Sequence, residues 1–117
     1  MQRSVLLRLN DILRAIDGAA ETIGDVDFET FRSVYHMGRT VERCIEIVSE
    51  ATRHLPDEIK SRYPEIPWHQ IAGIGNVLRH DYDIVDDYII WDVVTVHFPR
   101  LRTVISAVRS EWSEPPQ

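Results

Sequence analysis

Apolar residues recur every three or four positions near the start of the chain, at Val5, Leu9, Ile12, Leu13, Ile16, Ala20 and Ile23. That spacing predicts an amphipathic helix with one buried stripe, closed by Gly24 and Asp25. Asp27 is the predicted N-cap of the next helix, with Glu29 in its first turn. A second stripe runs through Phe31, Val34, Met37 or Gly38, Val41, Ile45, Val48 and Thr52 to Leu55. Pro56 stops it and opens a short turn over residues 57–62. The segment Tyr63-Pro64-Glu65-Ile66-Pro67 is expected to be extended, because each proline pushes its predecessor out of the helical region. A third helix starts near Pro67 and Trp68 and carries Trp68, Ile71, Ala72, Val77 and Leu78. Gly73 and Gly75 lie inside it. Each costs about 1 kcal/mol relative to alanine in a helix, so they point to close backbone contact with another helix or a partner chain. Residues 81–87 form a polar stretch rich in capping aspartates.

The last helix carries Ile89, Ile90, Val93, Val94, Val96, Phe98, Leu101, Val104, Ile105, Val108 and Trp112. Asp92, Thr95 and Arg100 fit helical spacing better than the alternation of a strand. Pro99 falls inside this helix and is expected to kink or break it. The prediction is an all-α, four-helix bundle with a short extra helix, one domain over residues 1–117, and a frayed tail at 113–117.

Composition adds boundaries. A chain of 117 residues is one domain's worth, and 44% hydrophobic with 27% charged residues excludes whole-chain disorder. Cys44 is the lone cysteine, so no internal disulfide forms and the cytoplasm is the expected compartment. No apolar run is long enough to span a bilayer, and Met1-Gln2-Arg3-Ser4-Val5 turns amphipathic without a secretory apolar block. The net charge of −6 argues against a general nucleic-acid coat but leaves room for a small basic site on an acidic body. The basic residues are twelve arginines and the single Lys60. Arginine grips phosphate bidentately, although codon bias accounts for most of that excess.

The densest chemical stretch is Gly73-Ile74-Gly75-Asn76-Val77-Leu78-Arg79-His80-Asp81-Tyr82. Asn76 and His80 are one helical turn apart, and Arg79 flanks the same face. Together they supply an amide, a titratable imidazole and a guanidinium. Histidine moves a proton near neutral pH, and arginine holds phosphate and stabilises charge developing on it. That set suits metal-independent RNA cleavage, and a second histidine from a dimer mate would complete the acid–base pair. On spacing alone the signal is weak, since a histidine at a helix C-terminus is more often a dipole partner or cap.

Longer matches sharpen it. Arg43-Cys44-Ile45-Glu46-Ile47-Val48-Ser49-Glu50-Ala51, then Tyr63-Pro64-Glu65-Ile66-Pro67-Trp68, then Ile71-Ala72-Gly73 leading to Asn76-Val77-Leu78-Arg79-His80-Asp81-Tyr82, resemble the HepT family. Trp91 and Phe98-Pro99-Arg100-Leu101 fit that family's last helix, so the resemblance covers nearly the whole chain. HepT proteins are helical-bundle ribonucleases of the HEPN superfamily. The resemblance implies a homodimeric toxin, encoded beside a nucleotidyltransferase antitoxin of the MntA type. It also implies that the antitoxin transfers AMP from ATP to the tyrosine of a His-x-Tyr motif, here Tyr82. ATP is then the partner's substrate, and this chain needs no cofactor of its own.

The chain departs from the family pattern at one point. The family motif places an arginine four to six residues before His-x-Tyr, and the matching positions here are Gly75, Ile74 and Gly73. The nearest arginine is Arg79, directly before the histidine, and it is expected to take over the phosphate. The resemblance carries over His80, for proton transfer, with Asp81 and Tyr82; Asn76 as orienter comes from the helix spacing, and the alternatives to Arg79 as phosphate binder are Arg43 reaching in from another helix or a nuclease that is weak or lost. Asp81 and Arg43, from another helix, are the supporting residues. AMP on Tyr82 would put bulk and negative charge where an RNA phosphate must sit. The alternative is a non-catalytic helical partner of a nucleotidyltransferase, and the missing arginine favours it.

The remaining candidates read as structure. Asp81, Asp83, Asp86 and Asp87 suit helix caps better than a metal site, since no standard ligand spacing is present. Glu46 and Glu50 are expected to pair with Arg43, Arg39 or Arg53 on a solvated face. His36, His54, His69 and His97 form no metal-binding pair. Cys44 is read as a small core residue, and Trp68, Trp91 and Trp112 as core or interface. Gly73-Ile74-Gly75 lacks the preceding strand of a phosphate loop.

Overall fold

Ser4 begins the first helix, its hydroxyl accepting the Leu7 N–H at 3.1 Å. α1 (Val5–Ile23) buries Leu9, Ile12, Ile16 and Ile23 of the predicted stripe, with Ala15 and Ala19 buried beside them, while Ala20 is exposed. It closes at Gly24, whose φ of 57° is in the left-handed region that glycine enters without strain. The computed structural model describes residues 4–80 and 86–112, and of Arg79 and His80 the helical backbone. α2 (Phe28–Ser33) is capped by Asp27, which accepts the Thr30 N–H at 2.9 Å. The other helices are α3 (Tyr35–Arg53), α4 (Asp57–Arg62), α5 (Trp68–His80), α6 (Asp87–Asp92) and α7 (Phe98–Glu111), with a π-helical turn, Val93–His97, joining the last two. The described residues form no strand.

The second predicted helix is two helices. Val34 takes an extended conformation (φ −105°, ψ 103°) between α2 and α3. A continuous helix would leave Phe31 and Val41, ten residues apart, about 80° out of line. The break lets both be buried. Phe31 seats against Trp91 at 5.2 Å between ring centroids, and Phe28 meets the edges of Tyr88 and Trp91. α2 thus covers α6, while Val41, Ile45 and Val48 of α3 enter the main core.

Residues 63–67 are not extended. Ile66 donates its N–H to Tyr63 O at 3.1 Å, closing a turn with Pro64 at its second position, where proline's fixed φ is suited. The turn buries Ile66 and is locked by Trp68, whose indole N–H reaches Tyr63 O (3.0 Å) and Lys60 O (3.1 Å). The preceding-residue rule holds at Tyr63 (φ −130°, ψ 64°), but the side-chain clamp bends the rest.

The disturbance expected at Pro99 appears as the π-turn just before it. Phe98 N–H reaches back five residues to Val93 O, and Pro99, which has no N–H, sits in the first turn of α7. The wider turn also brings Asp92 and His97 together, with His97 Nε2 3.2 Å from Asp92 Oδ2. In an α-helix those positions would diverge by about 140°.

The core lies where α1 packs on α3 and α7, and α5 lies against α3. Leu9, Ile12, Ile16, Val41, Ile45, Val48, Leu101, Ile105 and Val108 fill it. Trp68 is buried, and Trp91 and Trp112 pack partly buried against the core. No helix among the described residues is long and apolar enough to cross a membrane.

Candidate functional site

α5 carries the predicted chemistry, so its seat on α3 decides where that chemistry stands. Ser49 is fully buried on α3. Its hydroxyl accepts the Gly75 N–H at 3.1 Å and donates to Ala72 O at 2.8 Å. Arg53 Nη2 donates to the same carbonyl at 2.9 Å. A β-carbon on Gly75 would come within 2.6 Å of Ser49 Oγ, a separation that real β-carbons do not adopt. The close approach expected of the paired glycines is therefore real at Gly75. Gly73 has nothing within 4 Å of its would-be β-carbon and is exposed.

The same contact bears on one position of the family motif, since Gly73 is open and carries no arginine either. Position 75 is one of the three where the resemblance would place an arginine, and here it is buried against Ser49 and the Glu46 backbone. No side chain fits there as the helices are packed.

Asn76 follows Gly75 directly and is exposed. Arg79 and His80 are the last two residues of α5, with His80 one turn beyond Asn76. Asp81 and Tyr82 lie outside the described residues, as does Asp83. Beyond that gap α6 opens on Asp86, whose carboxylate accepts the Tyr88 N–H (2.6 Å) and Ile89 N–H (3.2 Å). Asp86 is a cap, as its position predicted.

α3 and α5 run antiparallel: Arg53 meets Ala72, and Ser49 meets Gly75. His80 is five residues past Gly75, about 7.5 Å along the axis. Counting back equally from Ser49 on α3 reaches Cys44. Arg43 is at the right level but points round the helix, lining a groove against α1 with Arg8, Asp11, Glu46, Ile47 and Glu50. Arg39, seven residues before Glu46, lies about 20° round the helix from it and so nearer the α5-facing side than Arg43 does. It is ion-paired to Glu42, and its guanidinium carbon lies 5.0 Å from the centre of the Tyr35 ring. Neither Arg39 nor Tyr35 stands on the apolar stripe or in a motif, so the sequence alone points to neither.

The other polar groups are engaged structurally. Glu50 pairs with Arg53 at 3.0 Å and His54 at 2.8 Å, and its carboxyl is held below the usual range, first by the His54 hydrogen bond and then by nearby positive charge. Burial pushes the Cys44 thiol up, opposed by the Arg43 charge. Among the described residues, no three His, Cys, Asp or Glu side chains come together as a metal site. An apolar cleft of about 150 Å³ opens between α3, α5 and the π-turn, lined by Ile45, Ile71, Ile74, Val93, His97 and Phe98.

Comparison with known proteins accounts for the arrangement. The family model described as "Ribonuclease HepT-like" matches residues 12–108. "Probable ribonuclease HepT" of Thermococcus cleftensis is 33% identical over 109 residues, covering 93% of this chain and 99% of the relative. "Putative RNase MJ1380" of Methanocaldococcus jannaschii is 28% identical over 107 residues, covering 92% and 98%. No solved structure matches the chain significantly. The family match spans α1 to α7, including the α3–α5 pair and the segment that carries His80, so the chain belongs to the HepT-like family of ribonucleases.

Proposed function

We propose that this protein is the toxin half of a two-gene toxin–antitoxin pair, a cytoplasmic endoribonuclease that needs no metal. The observation that carries this reading is the family match over residues 12–108, with Asn76, Arg79 and His80 in order on the helix pinned to α3. One imidazole takes the ribose 2′-proton and the 2′-oxygen attacks the adjacent phosphorus. The 5′-oxygen leaves with a proton, and a 2′,3′-cyclic phosphate remains. His80 serves as base or acid, and Arg79 holds the phosphate as negative charge builds on it. Asn76 orients the substrate, with Asp81 in support. A homodimer supplies the second His80. Val77 on α5 and Ile89 on α6 are exposed apolar residues on either side of the site segment along the chain, which supports such an interface.

In the same reading, a neighbouring nucleotidyltransferase silences the toxin. The Tyr82 oxygen attacks the α-phosphorus of ATP, pyrophosphate leaves, and AMP stays on Tyr82 beside the RNA site. The test is intact mass of the protein expressed alone and with its neighbouring gene, alongside cleavage of total RNA by each. AMP on Tyr82 with cleavage only by the unmodified protein supports the reading, and His80→Ala should abolish both cleavage and toxicity.

One observation favours a second reading. The packing at Gly75 leaves no room for an arginine at that position, and Ile74 and Gly73 supply none. If neither sample cuts RNA, the chain is a non-catalytic helical partner of the nucleotidyltransferase, with Tyr82 as its modified residue.

A further inference from the structure

The side of α3 that faces α5 does not stop where α5 does. Ser49 and Glu46 meet Gly75. Glu42 and Tyr35, seven and fourteen residues before Ser49, return to within about 40° of it around the helix. By the antiparallel register, Arg39 stands about one and a half turns and Tyr35 about two and a half turns beyond the level of His80. That is the reach of a nucleotide one or two steps along the strand, not of the scissile phosphate itself.

Tyr35 is 70% exposed, the largest exposure among the bulky apolar and aromatic residues described. Its ring is nonetheless held in place. The Arg39 guanidinium carbon lies 5.0 Å from its centre, and His36 meets it edge-on at 6.1 Å. Arg39 is itself fixed by Glu42. The extended Val34 turns the chain so that Phe31 goes inward and Tyr35 outward. An exposed ring held by neighbours loses little entropy on stacking, and every base has a face to stack. Glu42 neutralises much of the Arg39 charge, so this patch suits bases more than a bare phosphate backbone. That resolves how an acidic chain could hold RNA without a broad basic face.

We propose that Tyr35, flanked by His36 and Arg39, is a base-stacking subsite for single-stranded RNA beside the His80 site. The proposal rests on the ribonuclease reading and names the part of the substrate that it would hold. Stacking is sequence-tolerant and requires an unpaired base, so the subsite selects single-stranded over duplex RNA.

The test uses the full chain expressed without its neighbouring gene. In a His80→Ala background, fluorescence anisotropy with a labelled short single-stranded RNA gives the affinity. Tyr35→Ala should weaken it about 5- to 150-fold, and Tyr35→Phe should retain it, because the ring and not the hydroxyl stacks. A hairpin duplex of the same sequence should be bound more weakly, with little response to either change. With His80 intact, Tyr35→Ala should raise KM and leave kcat nearly unchanged. Circular dichroism and thermal unfolding check that the exposed substitution leaves the fold intact. Unchanged single-strand affinity for Tyr35→Ala overturns the proposal. So does loss of nucleotidyltransferase co-purification with RNA binding intact, which would make the patch a protein-docking site. A wild-type chain that cuts no RNA defeats the ribonuclease reading, while Tyr35-dependent RNA binding by anisotropy would still support the subsite.

Discussion

Ser49 occupies the space that a side chain at Gly75 would need. Its hydroxyl accepts the Gly75 N–H at 3.1 Å, and a β-carbon there would lie 2.6 Å from Ser49 Oγ and 2.7 Å from Ser49 Cβ. The contact fixes α5 on α3 and so fixes where Asn76 and His80 stand.

Gly75→Ala should therefore destabilise the protein by about 1–3 kcal/mol, the usual effect of overpacking a filled interface. Gly75→Arg, which restores the family motif on paper, should do more harm and should not raise RNA cleavage. Urea unfolding of both variants is the measurement. Ser49→Ala should rescue Gly75→Ala only in part, because the Ser49 β-carbon clashes as well as its oxygen. Ser49→Gly should rescue it further. A Gly75→Arg protein as stable as the parent and more active would show that α5 can move off α3.

Asp86→Ala should cost about 1 kcal/mol of stability, since its carboxylate caps two N–H groups at the start of α6. Asp86→Asn or Asp86→Ser should recover most of the loss, because either side chain can accept the same bonds. Equal unfolding midpoints for Asp86→Ala and the parent would mean that water satisfies those groups just as well.

The helices and the seat of the site were legible wherever one local rule acted alone. Most of the α1 stripe, the Asp27 and Asp86 caps and the close approach at Gly75 follow from spacing or from the missing side chain, although Ala19 and not the predicted Ala20 is buried. The rest depended on distant partners. The apolar spacing runs unbroken through Val34, so the split into α2 and α3 shows only once Trp91 is in place to receive Phe31. Residues 63–67 bend because the Trp68 indole ties Tyr63 and Lys60 together. The π-turn keeps an apolar sequence indistinguishable from an α-helix over residues 93–97. In the candidate site, the motif pointed to His80, and helix spacing added Asn76 and Arg79. The neighbouring Arg39 and Tyr35 come from another helix, which no spacing along the chain could reveal.

Stability should be nearly level from neutral pH to about pH 5 and fall below about pH 4, as far as three carboxylates decide it. The Arg102 hydrogen bond and charge hold the Asp17 carboxyl below its ordinary range, the Thr30 N–H does the same for Asp27, and His54 and Arg53 for Glu50. A carboxyl depressed on folding adds stability above its unfolded pKa of about 4 and loses it as pH drops through the folded value. Each contribution is small, because these groups are exposed and salt-screened. Urea midpoints across pH 3–7 check the sign. Asp17→Asn should flatten the acid limb slightly, and an acid limb that steepens would contradict the Arg102 pairing.

Cys44 should resist thiol reagents in the native protein. It is half-buried against α1, with its sulfur 3.7 Å from where a Gly18 β-carbon would be, and burial raises its pKa. The thiolate is the reacting form, so a raised pKa and poor access act in the same direction. Labelling at pH 7.4 should be many-fold slower than in urea-unfolded protein. If local separation of α1 from α3 is the route to reaction, low urea should speed labelling well before global unfolding. Gly75→Ala loosens α5 rather than α1, so it should accelerate labelling only as far as it lowers global stability. Native labelling as fast as in urea would place Cys44 in open solvent and remove α1 as its cover.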